Sequence, residues 1–303
     1  MWFRNLQIYR FNKPFELDAD SLNEALETQV FKPCGSQQPF SAGWTKPLGK
    51  HGTQLVHATN GKFMVCAKRE ERIMPAAAVR DVLNARIEEI EAKEDRKIRG
   101  KEKTDLKDEV IMDMLPRAFT RSSLTYAYID PQNSCLIIDA ASVGKAEEVT
   151  VLLRDAIGTL PVRPLTVNNA PCSIFTQWLK QGHADVDFAL EDSCELKSVE
   201  DGGGTVRISK QELVDSEEVQ VHLDAGKLVT KLALTYKERI RFSMDDSLVI
   251  KQFKFLDVVT EVMDEVNADS AAAEFDAKFS IMALELEDML PSLAQAFGGE
   301  PEE

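Results

Sequence analysis

Apolar and polar residues alternate from Leu6 to Phe11 and then recur at helical spacing through Leu22, Ala25 and Leu26, which predicts a strand followed by a helix over 19–30. Two extended runs within 54–67 flank Asn60-Gly61, the strongest short signal for a β-hairpin. After Pro75, the positions Val79, Leu83, Ile87 and Ile90 set a long helical stripe that Gly100 interrupts. The helix is expected to restart with Thr104 as its N-cap and to stop before Pro116. The order then reverses: an extended run over 124–129, a turn at Asp130-Pro131-Gln132-Asn133, an extended run over 135–139, a helix carrying Val149, Leu152, Leu153 and Ile157, and a strand near 162–167. Strand-helix-hairpin followed by hairpin-helix-strand points to two α+β units sharing one sheet.

A second region follows Pro171, with a flexible turn expected at 200–204, where three glycines follow Glu200 and Asp201. A meander is predicted over 227–236, 239–244 and 248–256, with Asp245-Asp246 at one turn. Strict alternation puts Leu228, Leu232 and Leu234 on one face with Ile240, Phe242 and Met244, and Lys227, Lys231, Arg239 and Arg241 on a basic, acid-free face. That face is either the wet side of an antiparallel sheet or a surface for a polyanion. From Ala271, Phe275, Phe279, Met282, Leu286, Met289 and Leu293 form a helical stripe, facing the core or a partner, which Pro291 should kink or end. Chains beyond about 250 residues usually divide their core. The expected class is therefore a multi-domain α+β protein with antiparallel or mixed sheets and packed helices. Residues 1–167 form an N-terminal α+β region with a helical basic arm at about 76–115, and residues 168–303 a C-terminal α+β region with the meander and a closing helix.

Charge changes this picture, because its distribution is uneven. Twelve acids and the single base Lys278 occupy 261–303, so eleven of the chain's fifteen net negative charges fall there. Between 96 and 103, Arg96, Lys97, Arg99, Lys101 and Lys103 meet only Glu102. Such segregation fits a polyanion-facing surface, and equally a solvated helix face with its own ion pairs. No apolar run approaches the roughly 18 residues of a membrane span, and Arg4 and Arg10 interrupt the opening where a secretory signal needs an apolar core. A cytosolic protein without a membrane partner is expected.

Chemistry-bearing motifs are sparse. The five cysteines are odd in number and widely spaced, which argues against disulfides and zinc and for buried or inert thiols. The four histidines form no ligand pair, and Val221 stands where a phosphate loop ending at Gly226-Lys227 needs glycine. Glu195-Leu196-Lys197 and Asp105-Leu106-Lys107 have a spacing used by metal-dependent nucleases, but no Pro-Asp partner precedes them. No enzyme activity and no cofactor is expected, and no base-reading motif stands out.

The strings FKPCGSQ (31–37), KDEVIMDMLPRAFTR (107–121), ELKSVEDGGG (195–204), KQEL (210–213) and AGKLVTKLAL (225–234), between WFRNL (2–6) and AFGGE (296–300), resemble the RdgC family of bacterial recombination-associated proteins along nearly the whole chain. The resemblance implies a non-enzymatic protein that closes as a ring-shaped homodimer around duplex DNA, with little sequence preference. It also implies restraint of the RecA recombinase by occupying DNA, and a nucleoid location. By the same resemblance, Phe119 meets Lys210 and Gln211 across a subunit contact that closes the ring, with Arg117 beside it. Ser209 departs from the pattern, which has an additional basic residue there. The competing readings are a metal-dependent nuclease and a scaffold that contacts the recombinase and touches DNA only incidentally.

Overall fold

Asn60 and Gly61 both adopt positive φ (48° and 73°), the backbone that a tight two-residue hairpin demands. They join β3 (Val56–Thr59) to β4 (Lys62–Arg72). The computed structural model describes residues 2–200, 203–264 and 269–301. Asp201 and Gly202 of the turn expected at 200–204 lie outside the described residues, as do 265–268 and 302–303 of the acidic stretch.

β4 runs antiparallel to β5 (Thr120–Asp130) from Phe63 opposite Ile129 to Arg72 opposite Thr120. Around this pair the first sheet adds β2 (Phe40–Thr45), β6 (Cys135–Ile138), β1 (Gln7–Phe11) and β7 (Val162–Pro164), in the order β2-β4-β5-β6-β1-β7 with β3 also on β4. Alternate residues go to opposite cores. Val65, Ala127, Ile129, Leu136 and Ile138 pack under α1 (Ala19–Glu27) and α4 (Val143–Ile157), which touch each other on one face. Met64, Tyr128 and Ile137 join the larger core on the other. The two units do share one sheet, in line with the order of elements along the chain.

The second sheet holds β8 (Phe188–Lys197), β9 (Thr205–Ser209), β10 (Leu228–Tyr236), β11 (Ile240–Asp245) and β12 (Ile250–Phe255), in the order β12-β11-β10-β8-β9. All ladders in both sheets are antiparallel. Its apolar residues share the larger core with α5 (Pro171–Gln181), α6 (Glu217–Asp224) and α8 (Ala271–Ala296); α7 (Asp257–Asp264) precedes α8. The α8 stripe is therefore core: Phe279, Met282, Leu286, Met289 and Leu293 are fully buried. Pro291 does not end α8, which runs to Ala296. Burial of Leu293, Ala294 and Phe297 beyond the proline outweighs the one backbone bond it removes. Leu6 and Ile250 exchange backbone hydrogen bonds (2.8 and 3.1 Å) and Phe253 N donates to Arg4 O (2.8 Å), so the residues before β1 stitch the sheets together and the larger core crosses the expected division at 167.

The arm is a hairpin of α2 (Ala76–Glu94) and α3 (Lys101–Met114) with its own small core of Val79, Leu83, Ile98, Leu106 and Val110. Thr104 is not the N-cap. α3 starts at Lys101 with Gly100 at the cap, and the Thr104 hydroxyl donates back to Gly100 O (3.4 Å). Gly100 has φ 59° and ψ −129°, a region open essentially to glycine, which sets the helix start.

Three thiols follow the expectation of inertness. Burial pushes Cys66, Cys135 and Cys194 up to about 12; Cys34 and Cys172 are only half-buried. Native protein at pH 8 should keep these three unreactive toward a thiol reagent until unfolding, and rapid labelling of all five would contradict the buried cores.

Candidate nucleic-acid interface

The outer face of the second sheet forms an open groove of about 760 Å³, whose charged lining is Lys197, Arg207, Lys231 and Lys251 against Glu195, Asp245 and Asp246. The expected basic face is thus interleaved with acids. Arg207 Nε donates to Glu195 Oε2 (2.6 Å) and Lys251 Nζ to Asp245 Oδ2 (3.0 Å). Lys231 stands between Glu195 on β8 and Asp245 on β11.

Nor do the four expected bases share that face. The β10–β8 register shifts between Val229 and Lys231, a bulge that resets alternation. Val229 is fully buried and Lys231 lines the groove, whereas Lys227, before the strand, contacts His222 Nδ1 (3.3 Å) on α6. Arg239 reaches Glu285 on α8, which holds its guanidinium above the usual range. Arg241 donates to Asp192 Oδ1 (2.6 Å), which lowers the Asp192 carboxyl. The acids on β8 and α8 are distant in sequence from the arginines they neutralise. Lys197 and Lys231 make no ion pair among the described residues, and Lys197 is a groove base that residue spacing had assigned to another motif.

The arm connection carries the densest basic run. Arg96 bridges Glu94 and Glu102, and Lys97 Nζ donates to Glu91 (2.5 Å). These pairs raise Arg96 and lower Glu102 and Glu91. Arg99, Lys101 and Lys103 are exposed. Asp105 joins Asp108, Glu109 and Asp113 in an acidic hollow with Arg86.

Phe119 sits where β5 begins, with its side chain 85% exposed. Its backbone is held: Ile73 N donates to Phe119 O (2.8 Å), and Arg72 donates to Ala118 O (3.1 Å) and Gly35 O (3.0 Å). The exposed Ile73 and Phe40 belong to the same end of the sheet. Arg117 is exposed beside it. Lys210, at φ 60°, and Gln211 follow edge strand β9; Gln211 N donates to Asp192 O (3.3 Å) and its side chain to Glu218 (3.2 Å). Among the described residues no hydrogen bond or ion pair joins Phe119 to Lys210 or Gln211 within the chain, and no group of three or more His, Cys, Asp or Glu is placed to hold a metal ion. No helix of the described residues is long and apolar enough to cross a membrane.

Two stitched antiparallel sheets, an arm with a basic connection and an anchored, exposed phenylalanine define an α+β protein built around surfaces. A family profile described as "Putative exonuclease, RdgC" matches residues 1–300. The chain is 45% identical over the full length of both sequences to the Recombination-associated protein RdgC of Tolumonas auensis, and 44% identical to that of Psychromonas ingrahamii over 99% of each. A relative of the same name from Pseudomonas aeruginosa strain LESB58 is 44% identical over 99% of this chain and 98% of its own. The chain belongs to the RdgC family.

Proposed function

We propose that this protein acts in recombination as a non-enzymatic DNA clamp: a homodimer that closes as a ring around duplex DNA, without sequence preference, and restrains the RecA recombinase by occupying its substrate in the nucleoid. The observation that carries the reading is Phe119, a large apolar side chain exposed on a pinned backbone. Such a rigid aromatic anchor loses little entropy on docking, and interfaces concentrate their energy in residues of this kind. Lys210 and Gln211 of the other subunit are its proposed seat, with Arg117 at the rim.

DNA contact rests on Arg96, Lys97, Arg99, Lys101 and Lys103 of the arm and on Lys197, Lys227 and Lys231 of the second sheet, with Arg117 near the gate. The exposed pairs of Arg96 and Lys97 are no obstacle, because such ion pairs contribute only about 0–1 kcal/mol and phosphate can displace them. Arg239 and Arg241 are committed to acids within the chain and are assigned a structural role.

Affinity should fall with salt at a logarithmic slope of about −0.9 per phosphate contact, and unrelated duplexes of equal length should bind within a few-fold of one another. Replacing Lys197 and Lys231 together by alanine should flatten the slope by about one to two. A thousandfold sequence preference, or an unchanged slope with lowered thermal stability, contradicts this reading. The family description favours a nuclease as the second reading; incubation of supercoiled DNA with protein and magnesium separates the two, since nicking that copurifies with the protein supports the enzyme.

A further inference from the structure

Phe253 N donates to Arg4 O (2.8 Å), so the residues before β1 run beside β12, and a cleft of about 580 Å³ opens between them, β5 and α7. That volume lies in the range of small-ligand sites, which are largely apolar with a few placed polar groups. The apolar wall is aromatic: Trp2, Tyr126, Phe253 and Phe255, with the ring centroids of Trp2 and Phe255 4.7 Å apart. Phe253 and Phe255 are buried and fix the wall, whereas Trp2 and Tyr126 are half-buried and keep part of their surface open.

The charged residues that line this cleft are Arg4, Lys254 and Asp139. Arg4 and Lys254 are exposed, and neither makes an ion pair among the described residues. Asp139 is oriented by the chain: its Oδ1 accepts from Arg4 N (3.1 Å) and Asn5 N (2.9 Å), while Oδ2 has no hydrogen-bond partner among the described residues. The cleft thus offers aromatic surface, one open carboxylate oxygen and two cations. An organic cation would use the rings and the carboxylate but meet two like charges, and an acidic peptide would use the cations but meet Asp139. A nucleotide uses all three. Its base stacks on an aromatic ring, its base N–H groups donate to the carboxylate, and its phosphate pairs with the two cations.

We propose that the cleft between Trp2, Tyr126 and Phe255 binds one nucleotide whose base is unpaired, with Asp139 reading the base edge and Arg4 and Lys254 holding the phosphate. The base must be unpaired because the edge that donates to Asp139 is occupied in a duplex, and a base stacked on protein has left its own stack. Guanine fits best, since its ring N–H and exocyclic amine lie side by side on that edge. The ligand is a free nucleotide or one unit of a single strand. The site is independent of the clamp described above, since it uses neither the arm, the groove nor the gate.

The test follows tryptophan emission of the full chain. Trp44 and Trp178 are buried (0% and 6% exposed), so a base that stacks in the cleft quenches Trp2 selectively. Deoxyguanosine 5′-monophosphate should quench saturably, and deoxyguanosine, which lacks the phosphate, should need a concentration about tenfold higher. Arg4→Gln combined with Lys254→Gln should raise half-saturation by the nucleotide about tenfold and leave that by the nucleoside unchanged. The thermal midpoint should not move, because both side chains are exposed. Trp2→Phe should lose the quenching while calorimetry still detects the nucleotide. Quenching by a short single strand at a lower nucleotide concentration than by the monophosphate, and its loss in the double variant, assigns the site to a strand; quenching by the monophosphate at the lower concentration assigns it to a free nucleotide. Absence of quenching by both ligands, or quenching indifferent to the loss of Arg4 and Lys254, overturns the proposal.

Discussion

Phe119→Ala should release the protein from closed circular DNA about thirtyfold faster or more, while leaving its thermal midpoint unchanged. The magnitude follows from the roughly 2 kcal/mol or more that an interface anchor contributes. The unchanged midpoint follows from its position: an 85% exposed side chain removes almost no core when truncated. On short linear duplexes wild type and variant should leave at similar rates, because a ring can slide off an end without opening. Inhibition of strand exchange should weaken in parallel. A lowered midpoint with unchanged release from circles would assign Phe119 to folding and sink the gate.

Lys62→Ala should destabilise the fold by about 3 kcal/mol, since removing one member of a buried ion pair strands its partners. Lys62 is 4% exposed and its ammonium lies 3.2 Å from Asp130 and 3.0 Å from Glu287. Asp130 also caps the turn to β6 by accepting from Gln132 N and Asn133 N, and Glu287 belongs to α8. The lysine therefore ties the central β4–β5 pair of the first sheet to the helix that both sheets share. For a chain of this size the loss corresponds to roughly 5 °C in thermal midpoint.

The pH dependence has a definite sign. Burial alone would lower the Lys62 pKa, but the hydrogen bond to Glu287 and the charge of Asp130 outweigh it and raise it above 10.5. A raised folded-state value means the stabilisation is complete at neutral pH and fades as pH climbs past 10.5 through the folded value. Urea midpoints of wild type and variant should converge between neutral pH and pH 11. A constant gap would remove the ion triad from the account of stability.

Elements whose own residues set their geometry were legible in the sequence. Asn60-Gly61, Gly100, Pro116 and the α8 stripe marked the hairpin, the break between α2 and α3, the end of α3 and the central core helix. Legibility failed where tertiary pairing decided. β8 reads Phe-Ala-Leu-Glu-Asp-Ser-Cys-Glu-Leu-Lys, too acidic for a strand by composition, yet its acids are the cross-strand partners of Lys231, Arg207 and Arg241. The same pairing hid the charge balance of the groove, because a base's neutraliser is set by register and not by sequence distance. The bulge at Val229 inverted the alternation that placed Lys227 beside Lys231. Phe119 was legible for the opposite reason: it fits neither helix nor strand periodicity, and it stands out in solvent.

Encirclement is tested most directly by topology. Protein loaded on a circular plasmid at low salt is moved to high salt, where phosphate contacts are screened, and the plasmid is then cut once with a restriction enzyme while retention is followed. The expected result is retention on the intact circle and release on cutting. Loss from the intact circle at the rate seen for linear DNA contradicts a closed ring.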